Sequence, residues 1–250
     1  MQLVSRQVMK ANNWVIFLAC LLIFNGTAWA QQAIGPSVVF KENPLSHNMH
    51  ITSDGKFLYT CNGGRAELGQ VNKLKRDGTH VAGFPIKLDM RSIMYNTSDK
   101  KLYVYTYSRK LYKIDDLTQG TYSEVLSFPE RSEQSAPALS SNGKLICFIE
   151  LGDVFFYNLK SGKIETTLHG LKCADNASDG GTAIAMDKKH LYSWNAREQE
   201  VFVYDLKGKF EKSVKLNQGF YGFSLSWANG LLWVSADGNY ETGTWYGYDL

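Results

Sequence analysis

The sequence predicts an all-β protein, a five-bladed β-propeller of four-stranded blades. Three observations carry that expectation. A short polar turn followed by an apolar strand recurs five times, at Ser53-Asp54-Gly55-Lys56, Ser98-Asp99-Lys100-Lys101, Ser141-Asn142-Gly143-Lys144, Met186-Asp187-Lys188-Lys189 and Ala228-Asn229-Gly230. The Asp/Asn positions are separated by 45, 43, 45 and 42 residues, a period that strands and turns alone fill only in a propeller. The last repeat stops after three strands, at Leu250, while an unpartnered strand, Pro36-Ser37-Val38-Val39-Phe40, precedes the first repeat. Placed in the last blade, that strand closes the ring non-covalently.

Ahead of it, residues 1–30 read as an export signal. Arg6 and Lys10 are the only charges before the apolar run Trp14 to Phe24, and Ala28-Trp29-Ala30 forms a small-residue cleavage pattern before Gln31. The run of 11 residues is short of the roughly 17 to 25 that a membrane helix needs. Cys20 is poorly placed for lipidation, because the apolar stretch before it is brief. A periplasmic or secreted chain of residues 31–250, monomeric and without a transmembrane segment, is expected. The signal carries two of the 27 basic residues and none of the 24 acidic ones, which leaves a net charge of +1. A nearly neutral domain with no basic stripe excludes nucleic acid as a partner.

The blades are expected at about 47–86, 90–127, 134–168, 181–214 and 221–250 plus strand 36–40. First strands are small and apolar, as in Ala136-Pro137-Ala138-Leu139 and Ala183-Ile184-Ala185-Met186, which suits crowding around an axis. Second strands are aromatic and β-branched, as in Leu102-Tyr103-Val104-Tyr105 and Leu191-Tyr192-Ser193-Trp194, which suits a packed pleated surface. Third strands end in a Tyr-x-Leu pattern, Tyr157-Asn158-Leu159, Tyr204-Asp205-Leu206 and Tyr248-Asp249-Leu250. Fourth strands such as 163–168 and 209–214 are charged, which guards an outer edge against unwanted pairing.

Turn-then-strand units ending in Tyr-Asp-Leu resemble the NHL/YVTN-type and quinoprotein-like propeller repeats of secreted bacterial proteins. The resemblance covers most of residues 47–250. It implies the fold and leaves the activity open, because that superfamily holds lyases, lactonases, adhesins and scaffolds. The Trp-Asp and Gly-His elements of WD40 repeats and a tryptophan-docking repeat are absent.

Function is expected on the loop face where the inner strands begin, at the mouth of the central channel. By register His47, Arg91, Gln134, Asp179 and Tyr221 ring that mouth, joined by Asn239 and Tyr240 from the 236–243 loop. This mixed set of polar groups suits hydrogen bonding to a protein, a glycan or a small polar ligand. The first expectation is a non-enzymatic binding or scaffold propeller. The alternative is a lactonase- or lyase-type enzyme using His47, Arg91 and Asp179. A second alternative is a lectin using the late aromatics, Trp227, Trp245 and Tyr240 among them. No cofactor is expected, and no metal, since no Cys/His spacing suits zinc. Asp237, Asn239 and Glu241 alternate as oxygen donors and are weak calcium candidates. Cys61, Cys147 and Cys173 follow the export signal, an odd count without a pairing pattern.

Overall fold

The structure, a computed structural model, describes residues 32–250. The export segment expected at 1–30 lies outside the described residues. Among the described residues twenty strands form five antiparallel four-stranded sheets. Strand β1 is Val38–Glu42. The first blade is β2 (His47–Ser53), β3 (Leu58–Gly63), β4 (Gln70–Leu74) and β5 (His80–Pro85). The second is β6 (Met90–Asn96), β7 (Lys101–Thr106), β8 (Lys110–Asp116) and β9 (Thr121–Ser127). The third is β10 (Ala138–Leu139), β11 (Leu145–Glu150), β12 (Asp153–Asn158) and β13 (Ile164–Leu168). The fourth is β14 (Ala185–Met186), β15 (His190–Asn195), β16 (Glu200–Asp205) and β17 (Phe210–Lys215). The fifth takes β18 (Ser226–Ala228), β19 (Leu231–Ala236) and β20 (Gly243–Tyr248) from one end of the chain and β1 from the other. The inner strands β2, β6, β10, β14 and β18 neighbour one another in that order, and β18 returns to β2. The fold is therefore the five-bladed propeller expected from the repeat.

The repeated turn has a repeated chemistry. Asp54 Oδ1 accepts the backbone N–H groups of Lys56 and Phe57, both at 2.7 Å, and its Oδ2 accepts the Tyr59 hydroxyl at 2.9 Å. Asp99 treats Lys101 and Tyr103 alike, at 3.1 and 2.7 Å. Asp187 accepts from Lys189 and His190, both at 2.6 Å, and from Tyr192 at 2.9 Å. The side chain mimics a backbone turn and so fixes the hairpin. Where the turn carries Asn142 or Asn229, the matching position on the second strand is Cys147 or Trp233, and no phenol needs an acceptor. These phenols stay protonated, because burial, and then the aspartate, pushes their pKa upward.

Adjacent blades are stitched along the channel by short polar groups. Thr52 Oγ1 accepts from Tyr95 N at 3.0 Å, Ser235 Oγ donates to Asn48 O at 3.1 Å, and Asn96 Nδ2 donates to Gly143 O at 3.1 Å. Between the third and fourth blades the inner segments bond directly, Ala136 N to Thr182 O at 2.9 Å and Ile184 N to Ala136 O at 3.1 Å. Between blades the packing is aromatic and aliphatic. Trp194, Trp233 and Trp245 are fully buried, each contributing roughly 1.5–3 kcal/mol of hydrophobic burial. Cys61 and Cys147 are buried free thiols and Cys173 is half-buried.

The ring is closed by β1 on β20, with Val38 opposite Gly247 and Glu42 opposite Gly243. At its end sits a carboxylate that the strand pattern does not announce. Glu42 is buried. Its Oε1 accepts from the Thr60 hydroxyl and from Asn72 Nδ2 at 2.7 Å, and its Oε2 accepts from Trp245 Nε1 at 2.6 Å. One side chain thus joins the closing strand to β3 and β4 of the first blade and to β20 of the last. Burial pushes its pKa up against the pull of those three donors.

Candidate functional site

The loop face between the last, first and second blades carries a compact polar and aromatic cluster. His47 opens β2, and a register irregularity between Asn48 and His50 separates it from the rest of that strand. Its Nδ1 donates to Asp237 Oδ2 at 2.6 Å. A carboxylate only accepts, so the proton sits on Nδ1 and the ring's orientation is fixed. Asp237 Oδ1 is held in turn by Asn48 N at 3.0 Å. The imidazole lies between two phenols, stacked on Tyr221 with ring centres 6.0 Å apart and edge-on to Tyr240 at 5.2 Å.

Tyr240 and the preceding Asn239 adopt left-handed backbone angles, φ 73° and 47°. For a bulky aromatic this is a strained conformation, of the kind held at ligand sites by the surrounding structure. Here Tyr240 N donates to Ser46 O at 3.0 Å. The ring stands outward, 42% exposed, with the Arg65 guanidinium 5.4 Å from its centre. Across the mouth, Arg91 is buried, pairs with Asp89 at 3.2 Å and lies 4.9 Å from the exposed Tyr107 ring. Gly64 N donates to the other oxygen of Asp89 at 2.7 Å. Glycine is required there: φ is +104°, and a Cβ would stand 2.7 Å from His47 Cδ2. Burial first, and the Asp237 charge second, push the Tyr221 phenol up, so it remains a neutral donor. Its hydroxyl donates to Met49 Sδ at 3.6 Å.

The structure therefore brings together His47, Arg91, Tyr221 and Tyr240, with Asn239 on the strained loop. Gln134 and Asp179 make their hydrogen bonds to other partners. Gln134 is engaged through its backbone, donating to Ser132 Oγ at 3.1 Å and accepting from Thr182 Oγ1 at 3.0 Å. Asp179 pairs with Arg197 at 2.7 Å and with Asn176 at 2.9 Å, on the segment that leads into the fourth blade. The carboxylate beside His47 is Asp237, which the sequence pattern offers only as an oxygen donor for calcium. Its hydrogen bonds to His47 and to Asn48 N occupy both its oxygens. Among the described residues no group of three or more His, Cys, Asp or Glu side chains is placed to share a metal. Asp89 and Arg65 were missed. The signal for Asp89 was available, because it lies two residues before Arg91 on the same inter-blade segment. Trp245, a lectin candidate, is fully buried with its Nε1 bonded to Glu42, so it cannot meet a glycan.

The class of protein that this fold defines is a five-bladed propeller with a polar and aromatic mouth. No family model and no curated protein matches the chain. Solved structures do show likeness. BamB from Moraxella catarrhalis is 16% identical, with a TM-score of 0.40, over 80% of this chain and 59% of that one. Selenomethionine-substituted virginiamycin B lyase from Staphylococcus aureus is 11% identical, TM-score 0.43, over 80% and 65%. The Cps50 (Swd1) β-propeller domain from Myceliophteria thermophila is 10% identical, TM-score 0.48, over 85% and 99%. The chain thus spans about three fifths of the first and two thirds of the second. At such scores these likenesses transfer neither ligand nor reaction to the chain.

Proposed function

We propose that the chain is an exported, non-enzymatic binding propeller that takes a protein partner on the loop face at the channel mouth. One observation carries the reading: His47 and Arg91 are each paired with a carboxylate, and Tyr240, Tyr107 and Arg65 face outward. His47 is bonded to Asp237 and Arg91 to Asp89, while Tyr240 and Tyr107 are exposed beside Arg65 and Arg91. Tyr and Arg are the residue types that dominate protein interfaces, offering large contact area at low entropic cost. Peptides selected by display against the purified protein test it. They should lose at least about tenfold in affinity with Tyr240→Ala, weaken with Arg65→Ala, and be indifferent to Asp179→Asn. Selected peptides that ignore both Tyr240→Ala and Arg65→Ala sink the proposal.

A second reading, a lactonase- or lyase-type enzyme, is favoured by the His47–Asp237 bond alone. An imidazole oriented by a carboxylate beside a neutral phenol is the arrangement that general acid–base chemistry uses. In that reading His47 moves the proton, Asp237 orients it, and Tyr221 donates to developing negative charge. A lactone panel would then show turnover that His47→Gln abolishes while the unfolding midpoint stays in place.

A further inference from the structure

The end of the ring opposite the mouth, formed by the repeated hairpin turns, carries an arc of positive charge. Lys56, Lys100, Lys101, Lys144, Lys188 and Lys189 stand on the turns of the first four blades, and all six are exposed. These turns share one surface. Ser53, Thr97, Ser141 and Lys188 rim the same channel opening, and Thr97 Oγ1 donates to Ser141 O at 2.8 Å. By register the third strands end beside the hairpin turns and add Arg76, Lys160 and Lys207, all exposed. Arg76 donates to Gly55 O, and Leu159 N donates to Lys144 O at 2.8 Å. Over the hairpin turns and the turns between third and fourth strands, twelve cations stand against eight aspartates, so this end is net positive. The fifth blade, with Asn229, Gly230 and Asp249, adds no cation and leaves the arc open.

Two observations set this end apart from the mouth. Its cations are unpaired. On the loop face Arg91, Arg109, Arg131 and Arg197 each hold a carboxylate. Among the described residues the lysine ion pairs are those of Lys110, Lys113 and Lys215, none of them in the arc. The aspartates Asp54, Asp99, Asp187 and Asp205 accept backbone N–H groups of their own turns, which leaves the ammonium groups to solvent. The second observation is an apolar side chain among the lysines. Leu206 lies beside Lys189 in register, precedes Lys207 and is 43% exposed. The tyrosines of the turns, Tyr59, Tyr103 and Tyr192, are buried with their hydroxyls on the aspartates. They offer no face on which the bases of a single-stranded nucleic acid could stack.

We propose that this end of the propeller docks reversibly on the surface of an anionic phospholipid bilayer. Lysine is a compact, hydrated point charge, which suits a diffuse layer of headgroups; arginine would supply the fork that grips a single phosphate. Each lysine within a Debye length of such a surface strengthens attachment about fivefold. Leu206 enters the headgroup zone. A polyanionic chain would be served by the lysines and would have no use for that leucine, which is why the bilayer is favoured. Docked in this way, the molecule turns its mouth away from the membrane.

The test is co-sedimentation of residues 31–250, which hold all the described strands, with phosphatidylcholine vesicles containing about 30% phosphatidylglycerol. The chain should sediment with these vesicles at about 0.05 M NaCl, be released at about 0.5 M, and ignore vesicles of phosphatidylcholine alone. Reversing two charges together, Lys188→Glu with Lys189→Glu, should weaken binding at least about tenfold at an unchanged thermal midpoint. Lys144→Glu, on the neighbouring blade, should act in the same direction. Arg65→Glu, an equal reversal at the mouth, should leave binding as it was. The proposal is overturned if anionic vesicles are not bound, if neutral vesicles bind as well, if binding survives both lysine variants, or if Arg65→Glu weakens it as much. Retention on heparin without vesicle binding also overturns it, and assigns the arc to a polyanionic chain.

Discussion

His50 gives the molecule a pH dependence whose sign follows from its burial. Its folded pKa of about 4 lies below the ordinary 6.5, so the unfolded chain takes up the proton first. The stability this residue supports is complete above pH 6.5 and is lost as pH falls toward 4, by about 3 kcal/mol at most. Glu42 works in the opposite sense. Its raised pKa means that the folded state binds a proton more readily than the unfolded chain does, which favours folding as pH falls. Urea unfolding between pH 7 and 4 should therefore show a loss of stability that His50→Gln removes. Parallel curves for the two proteins would place the acid sensitivity elsewhere. At the same scale, Tyr103→Phe deletes one hydroxyl bonded to Asp99 at 2.7 Å and should cost about 1 kcal/mol by chemical denaturation.

The hairpin turn is the element on which the repeat is built, and its aspartate has two tasks. Asp54 holds two turn N–H groups with one oxygen and the Tyr59 hydroxyl with the other. Asp54→Asn should keep the turn and cost less than about 1 kcal/mol, as Asn142 does where no tyrosine follows. Asp54→Ala should cost about 2 kcal/mol. Equal losses for both variants, read from unfolding midpoints, would mean that the phenol bond rather than the turn matters. Such elements were legible in the sequence because their determinants lie within five residues of one another. Period, turn chemistry and strand order followed from local pattern, as did the candidacy of His47, Arg91, Tyr221 and Tyr240. What could not be read was which of the mouth residues meet. His47 and Asp237 are 190 residues apart, and their contact depends on how the last blade sits against the first. Equal register around a ring makes Gln134 and Asp179 look equivalent to His47 and Arg91. In the folded ring Gln134 joins the third blade to the fourth through Thr182, and Asp179 is held by Asn176 and Arg197. The lysine arc at the turn face was illegible for the same reason, since each blade supplies only a few of its cations.

For the whole molecule the decisive contact is the closing strand. Glu42 receives hydrogen bonds from Thr60, Asn72 and Trp245, and its removal leaves three buried donors unmatched. Glu42→Ala should therefore cost about 3 kcal/mol or more, measured as a fall in the thermal midpoint. A change within error would mean that water replaces the carboxylate and that backbone pairing alone holds the ring. The pairing register also fixes how this closure yields to force. Val38 faces Gly247 and Glu42 faces Gly243, so a load applied through residues 38 and 248 enters at one end of the β1–β20 pair. It meets the backbone bonds singly, as a zipper does, and not all at once in shear. The Glu42 anchor lies at the far end and is the last to feel the load. Pulled from its ends, the ring should open at low force up to that carboxylate and stall there before the blades themselves give way.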